Sequence, residues 1–342
     1  MKKTAFSALL GLSLLCPGTP AHAVEPAKSQ TYHLLKEIAI GGEGGWDYLA
    51  VYPASRRLYV SHATKIVVID LDKDQVVGEI ADTPGVHGFA VAADLGRGFS
   101  SNGREAKVSI VDLKTLQTIA KVDTGENPDA IVYEPGRQEV YAFNGRGRSV
   151  TVLEAKSGKV TATIPLGGKP EFAVVDPQAA RIYNNLEDTH EVAVIDTTAH
   201  AVAARWPIAP GEGASGMAID LLHHRLFLGC DNKRMLMLDS TSGAVVTSVP
   251  IGEGVDANAF DPGTQLAFSS NGEGTVTIAR EEAPDRLTVV QTLATARGAR
   301  TMALDPKTHR IYLSTAQLAP ATGAGRPTAV AGTFKVLVFG LD

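Results

Sequence analysis

Cysteine is nearly absent from this chain of 342 residues, which has only Cys16 and Cys230. With so few thiols, no disulfide framework can staple the fold, and C-x-x-C redox pairs and C-x-x-C-H haem attachment are excluded. No H-E-x-x-H or G-x-S-x-G occurs, so neither a zincin helix nor a hydrolase elbow is written locally. No convincing amphipathic helix interrupts the chain. The one sustained apolar run, residues 5–16, falls short of the roughly 20 residues that span a bilayer. A basic excess is missing as well: 32 Lys and Arg stand against 37 Asp and Glu. That balance gives a polyanion nothing to grip.

What is present begins with an export signal. Lys2 and Lys3 precede the apolar run, and Ala21-His22-Ala23 offers small residues for cleavage. Leu15 stands before Cys16 where a lipoprotein needs a small residue, so cleavage after Ala23 is the better reading. Residues 1–23 are expected to be removed and the mature chain to start near Val24, periplasmic or secreted. Removal takes two lysines and moves the formal charge from -5 to -7. Cys230 is then the sole thiol.

The rest of the chain repeats. An aromatic residue stands six positions after a proline or its equivalent at Tyr59, Phe99, Tyr141, Tyr183, Phe227, Phe268 and Tyr312, with spacings of 40, 42, 42, 44, 41 and 44. Short alternating apolar and polar runs separated by Gly, Asp, Asn or Pro lie between them, the pattern of strands and turns. Residues 130–133, 140–143, 150–153 and 160–164 show four such strands in one unit. Four strands every forty or so residues make a propeller blade, which must stack on its neighbours to bury both faces. The expected fold is therefore all-β: a seven-bladed β-propeller over residues 24–342. Small residues at Ala50, Ala90, Val132, Val174, Ala218, Ala259 and Ala303 suit inner strands crowded near an axis. The last repeat ends after three strands, so residues 32–40 should supply its fourth and close the ring. The stretch 316–332 is a surface loop, read as a neutral insertion in preference to a lid.

Several local patterns mislead. Gly211, Gly213 and Gly216 match G-x-G-x-x-G but lead into a strand, not into a helix able to hold a pyrophosphate. Asp70, Asp72 and Asp74 lack the Gly and distal Glu of a calcium loop and read as turn residues. His223-His224 reads as a solvated turn with no third ligand nearby in sequence.

The position six before each turn proline or its equivalent holds Asp47, His87, Asp129, Glu171, Ser215, Asp256 and Arg300. Six of the seven are ionisable. Opening the innermost strands, they should ring one mouth of the channel, and convergent polar groups in a concavity are the default site. Clustered carboxylates raise one another's pKa unless a cation intervenes. Asp47, His87, Asp129, Glu171 and Asp256 could hold a divalent cation, while Trp46, Tyr48, Phe172, Ser215 and Arg300 could contact a small ligand. A solvated polar network, ligand binding and catalysis all remain open. On the same face stand His62, Asn102, Asn144, Leu186, Cys230, Asn271 and Thr315; the three asparagines read as turn residues and Cys230 as a buried thiol.

Tyr59-Val60-Ser61-His62, Phe99-Ser100-Ser101-Asn102, Tyr141-Ala142-Phe143-Asn144 and Phe268-Ser269-Ser270-Asn271 resemble the signature strand of the YncE-like, YVTN-repeat propellers of bacterial envelopes. The strands ending in Asp70, Asp112 and Asp196 continue the likeness. The resemblance implies an exported binding or scaffolding propeller, expected here to be a monomer with a small ligand or an envelope protein as partner. Single-stranded DNA binding is suggested for a relative, but four acids at the mouth against one arginine argue against nucleic acid. Lactone-hydrolysing propellers, similar in fold, activate water on an axial cation. A metal-dependent lactonase-like hydrolase is therefore the alternative function.

Overall fold

The computed structural model describes Met1, residues 31–320 and residues 327–341; the rest of the expected signal segment and the leader 24–30 lie outside the described residues. Seven four-stranded antiparallel sheets follow one another along the chain. Blades one to six are residues 46–80, 86–123, 128–165, 170–207, 214–250 and 255–294. Blade seven takes three strands from residues 302–340 and its outermost strand from His33–Ala39, which pairs antiparallel with Lys335–Gly340. The expected closure is present. No described helix is long and apolar enough to cross a membrane.

The first strand of each blade is the innermost, because these strands meet one another around the ring. Their small residues permit that approach. The seven repeat aromatics are all fully buried, at roughly 1.5–3 kcal/mol for each large side chain taken from water. They pack between sheets and not within one. Tyr312 of blade seven, for example, shares a cluster with Leu49, Leu58 and Val60 of blade one. Each blade thus depends on its neighbour.

A bulge opens six of the inner strands at the mouth. The ladder slips between Trp46 and Leu49, Val86 and Phe89, Pro128 and Ile131, Pro170 and Ala173, Ala214 and Met217, and Val255 and Ala257. Each interval contains the ring residue, and a bulge of this kind re-aims a side chain by releasing its backbone from the ladder. Side chains catch the released groups, since a buried carbonyl needs a partner. Ser101 donates to the Asp129 carbonyl and accepts from Gly88 N–H at 2.9 Å. Asn185 Nδ2 donates to the Ser215 carbonyl at 3.0 Å, Thr301 Oγ1 to that of Asp47 at 2.9 Å, and Ser270 to that of Arg300. In all of these but the Gly88 bond, one blade holds the mouth of the next.

Candidate functional site

Six of the seven ring residues occupy the second position of an inner strand, and Arg300 lies two residues before Met302–Asp305. They divide into two sets. Ligand-type atoms of Asp47, His87 and Asp129 lie within 4.8 Å of one another. His87 Nδ1 is 2.5 Å from Asp47 Oδ2 and 3.6 Å from Asp129 Oδ1. Glu171 and Asp256 do not join that cluster: Glu171 pairs with Lys169 Nζ at 2.6 Å, and Asp256 with Arg300 Nε at 2.9 Å. The five residues expected to share a cation are thus three together and two paired separately with Lys169 and Arg300.

Lys169, Glu187 and Asp231 complete a polar funnel of about 280 Å³ with Asp47, Asp129, Glu171, Asp256 and Arg300. Sequence alignment of the ring missed these three. Glu187 and Asp231 stand one residue beyond Leu186 and Cys230, and Lys169 two residues before Glu171, so the signal was adjacent to positions already aligned. Six carboxylates therefore face Lys169 and Arg300, while His87 meets Asp47 and Asp129 from an adjoining cavity. Burial, and then the charges of Asp47 and Asp256, push the Asp129 carboxyl up to about 7 despite His87. Burial and Asp129 likewise raise Glu171 to about 7, and burial with Asp47 and Glu171 raises Asp256 to about 7 against the pull of Arg300. Burial alone would lower His87, but the Asp47 hydrogen bond and the charges of Asp129 and Glu171 outweigh it and lift the imidazole to about 9. The funnel has more negative charge than its own cations comfortably balance.

The flanking aromatics do different things. Tyr48 of blade one meets Phe172 of blade four edge-on, with ring centroids 5.2 Å apart, so the pair crosses the axis beneath the carboxylates. Trp46 packs on Phe334 at 5.6 Å and lines a separate cavity of about 480 Å³ with Arg300, Gly298, Leu318, Pro327 and Ala329. Leu318 and Ala329 bridge the two described arms of the 316–332 loop. Those arms wall a cavity; residues 321–326 lie outside the described residues. The Ser215 hydroxyl donates to the Val255 carbonyl at 2.8 Å and serves the neighbouring blade.

Other positions resolve simply. Asn102, Asn144 and Asn271 are fully buried and donate to Ser or Thr of the next strand. They brace the hairpins from inside, while the positive φ falls later, at Ala106, Arg148 and Gly274. Burial pushes the Cys230 thiol up to about 12, leaving it unreactive. His62 is buried and stacked 4.0 Å from Phe334. Asp70 accepts the backbone N–H groups of Asp72 and Lys73, as a turn residue should. Gly211, Gly213 and Gly216 lead into the strand Ala214–Asp220 and not into a helix. His223 departs from expectation: it is a turn residue, but Asp220 Oδ2 is 2.6 Å from its Nδ1 and Glu281 Oε1 is 3.7 Å away, so a third ligand-type group does come near. Glu281 belongs to the next blade, which is why local sequence did not reveal it.

No protein-family model matches the sequence, and no curated protein matches it. Solved structures do. A structure described as the WD40 repeats of RRP9 aligns with a TM-score of 0.76 at 11% identity, covering 92% of this chain and 98% of that one. A structure of U3-55K aligns with a TM-score of 0.74 at 11% identity, covering 91% and 99%. The likeness is one of fold. The charged funnel must be judged on its own residues.

Proposed function

We propose that this protein is an exported binding propeller, a relative of the YVTN-repeat envelope proteins, which takes up a divalent cation at Asp47, His87 and Asp129. The observation that carries the reading is the convergence of these three side chains, two of which, Asp47 and Asp129, also line the carboxylate-rich funnel. One imidazole with two carboxylates suits Zn or Mn. The cation would take the place of the proton between Asp47 and His87 and would offset the charge that holds Asp129 partly protonated. Lys169 and Arg300 keep Glu171 and Asp256 engaged, so the ion meets three ligands and leaves positions open for water or a small ligand. A periplasmic or secreted location rests on residues 1–23.

The test compares wild type with Asp129→Asn. Metal content after purification without chelator, and the shift in melting temperature on adding Zn²⁺ or Mn²⁺, should both fall in the variant. A ligand at 100 times its Kd adds about 2.7 kcal/mol to stability, which a melting curve reads easily. Equal metal content and equal shifts in the two proteins would overturn the reading.

The lactonase-like alternative draws on the same trio, because three protein ligands with open positions are the arrangement that activates water. The cavity between Trp46 and Arg300 favours it by offering an apolar wall beside a cation. Hydrolysis of lactones by the metal-loaded protein, absent in Asp129→Asn, separates catalysis from binding alone.

A further inference from the structure

At the end of the propeller away from the funnel, the first hairpins of blades three to seven close in a repeated way. The acid ending the inner strand accepts backbone N–H groups of its own turn through one oxygen, as Asp220, Asp261 and Asp305 do. In blades six and seven the other oxygen meets a nitrogen-bearing side chain from the next blade. Asp261 Oδ2 lies 2.7 Å from His309 Nδ1, and Asp305 Oδ2 lies 2.7 Å from Arg56 Nη1. His309 and Arg56 occupy the same place in their hairpins, each with positive φ. At that place in blade six stands Gln265, which is neutral and donates instead to the Pro262 carbonyl. Asp220 of blade five therefore receives no cation from its neighbour.

It receives another acid. Glu281 follows the third strand position where other blades have Leu71, Leu113, Ala155, Thr197 and Ser240; its N–H donates to the Gln265 carbonyl just as theirs bond the equivalent carbonyls. A buried, small or apolar place has become a carboxylate. Its side chain is 1% exposed, and neither oxygen has a hydrogen-bond partner. A carboxylate so placed is strongly destabilising unless something neutralises it. Arg225, the nearby cation, bonds Asp239 and the Pro284 carbonyl. The turn has changed in concert: His223 replaces Thr264 and Thr308, whose hydroxyls serve the aspartate in blades six and seven. Ligand-type atoms of Asp220, His223 and Glu281 lie within 4.8 Å of one another. His223 is about a third exposed, so the group opens to solvent on one side.

We infer that a divalent transition-metal ion binds Asp220, His223 and Glu281, joining blades five and six where His309 and Arg56 join the following pairs. One imidazole and two carboxylates, with a position left for water, match the ligand set of zinc. This site is independent of the funnel and faces the opposite end of the molecule.

Zinc content and melting temperature, measured on wild type, Glu281→Gln, His223→Ala and Asp129→Asn, test the assignment. Glu281→Gln is isosteric, and His223→Ala removes a partly exposed ring, so one of the two reports even if the other folds poorly. Both should lose one equivalent of zinc, and chelator should lower the melting temperature of wild type by more than that of either variant, both of which keep only the funnel site. Asp129→Asn should leave this equivalent in place, so failure at the funnel is read separately. Wild-type zinc content in both Glu281→Gln and His223→Ala would overturn the inference. So would a wild type that takes up no zinc while Glu281→Gln is the more stable protein, because Asp220 and Glu281 would then be sharing a proton.

Discussion

An added methyl at position 103 would lie 2.6 Å from His87 Nε2 and 2.8 Å from Asn127 Oδ1, closer than real contacts allow. The glycine is needed for this approach, since its φ is not positive. Gly103→Ala should therefore fold but push the imidazole away from Asp47, and the cation-induced melting shift should shrink as it does in Asp129→Asn. An unchanged shift would mean that His87 is no ligand. Residue-scale roles were unevenly legible. The alignment found Asp47, His87 and Asp129 because each opens a strand at a repeated position. Lys169 escaped because the alignment took one position per blade and stopped two residues short of it, whereas Glu281 escaped because its significance comes from Asp220 in another blade. Asn102 and its equivalents were placed correctly at hairpins, but their side chains brace strands from within and do not form the turn itself.

The N-terminal strand is the element on which closure rests. Ile38 is buried in the blade seven and blade one core, and Tyr32 is buried 5.3 Å from Phe268 of blade six. The Tyr32 hydroxyl donates to the His309 carbonyl at 2.7 Å, and its backbone exchanges two bonds with Gln291. This short segment thus fastens blade seven to blade six while completing its sheet. Deleting residues 31–40 would bare the edge of Lys335–Gly340, and unpaired edges invite association. We expect the truncated protein to melt well below wild type and to aggregate, as followed by circular dichroism and gel filtration. Ile38→Ala should cost about 2–5 kcal/mol, the usual loss for a buried isoleucine. Unchanged melting in the truncated chain would show that three strands suffice. This element was legible because an unpaired strand and a three-stranded final repeat can be counted; the bulges were not, since nothing in Asp47-Tyr48 or Asp129-Ala130 announces a slipped ladder.

Stability of the whole molecule should depend on pH through the funnel. In the unfolded chain Asp129, Glu171 and Asp256 lose their protons near pH 4, but in the folded chain only near 7. The folded state holds more protons between those values, so stability falls as pH rises across that window. His87 acts in the same direction: its stabilisation is complete below about 6.5 and is lost as pH rises through about 9. The metal-free protein should therefore melt at a higher temperature at pH 5 than at pH 8.5. Asp129→Asn should raise the value at pH 8.5 and leave it unchanged at pH 5. A flat profile would show that the funnel charges are already balanced. The seven-bladed architecture behind this behaviour was legible because each repeat carries its own aromatic anchor and turn.

The meeting of Tyr48 and Phe172 has a consequence for traffic. Two rings from blades three places apart meet at the foot of the funnel, where Tyr48 forms part of its lining, and narrow the way beyond it. Whatever settles among Asp47, His87 and Asp129 has its wide approach from the mouth. A long ligand could insert only its head and would leave its tail outside, beside Trp46 and the arms around Leu318. The ion held by Asp220, His223 and Glu281 would exchange with solvent at the other end, on the side where His223 is about a third exposed.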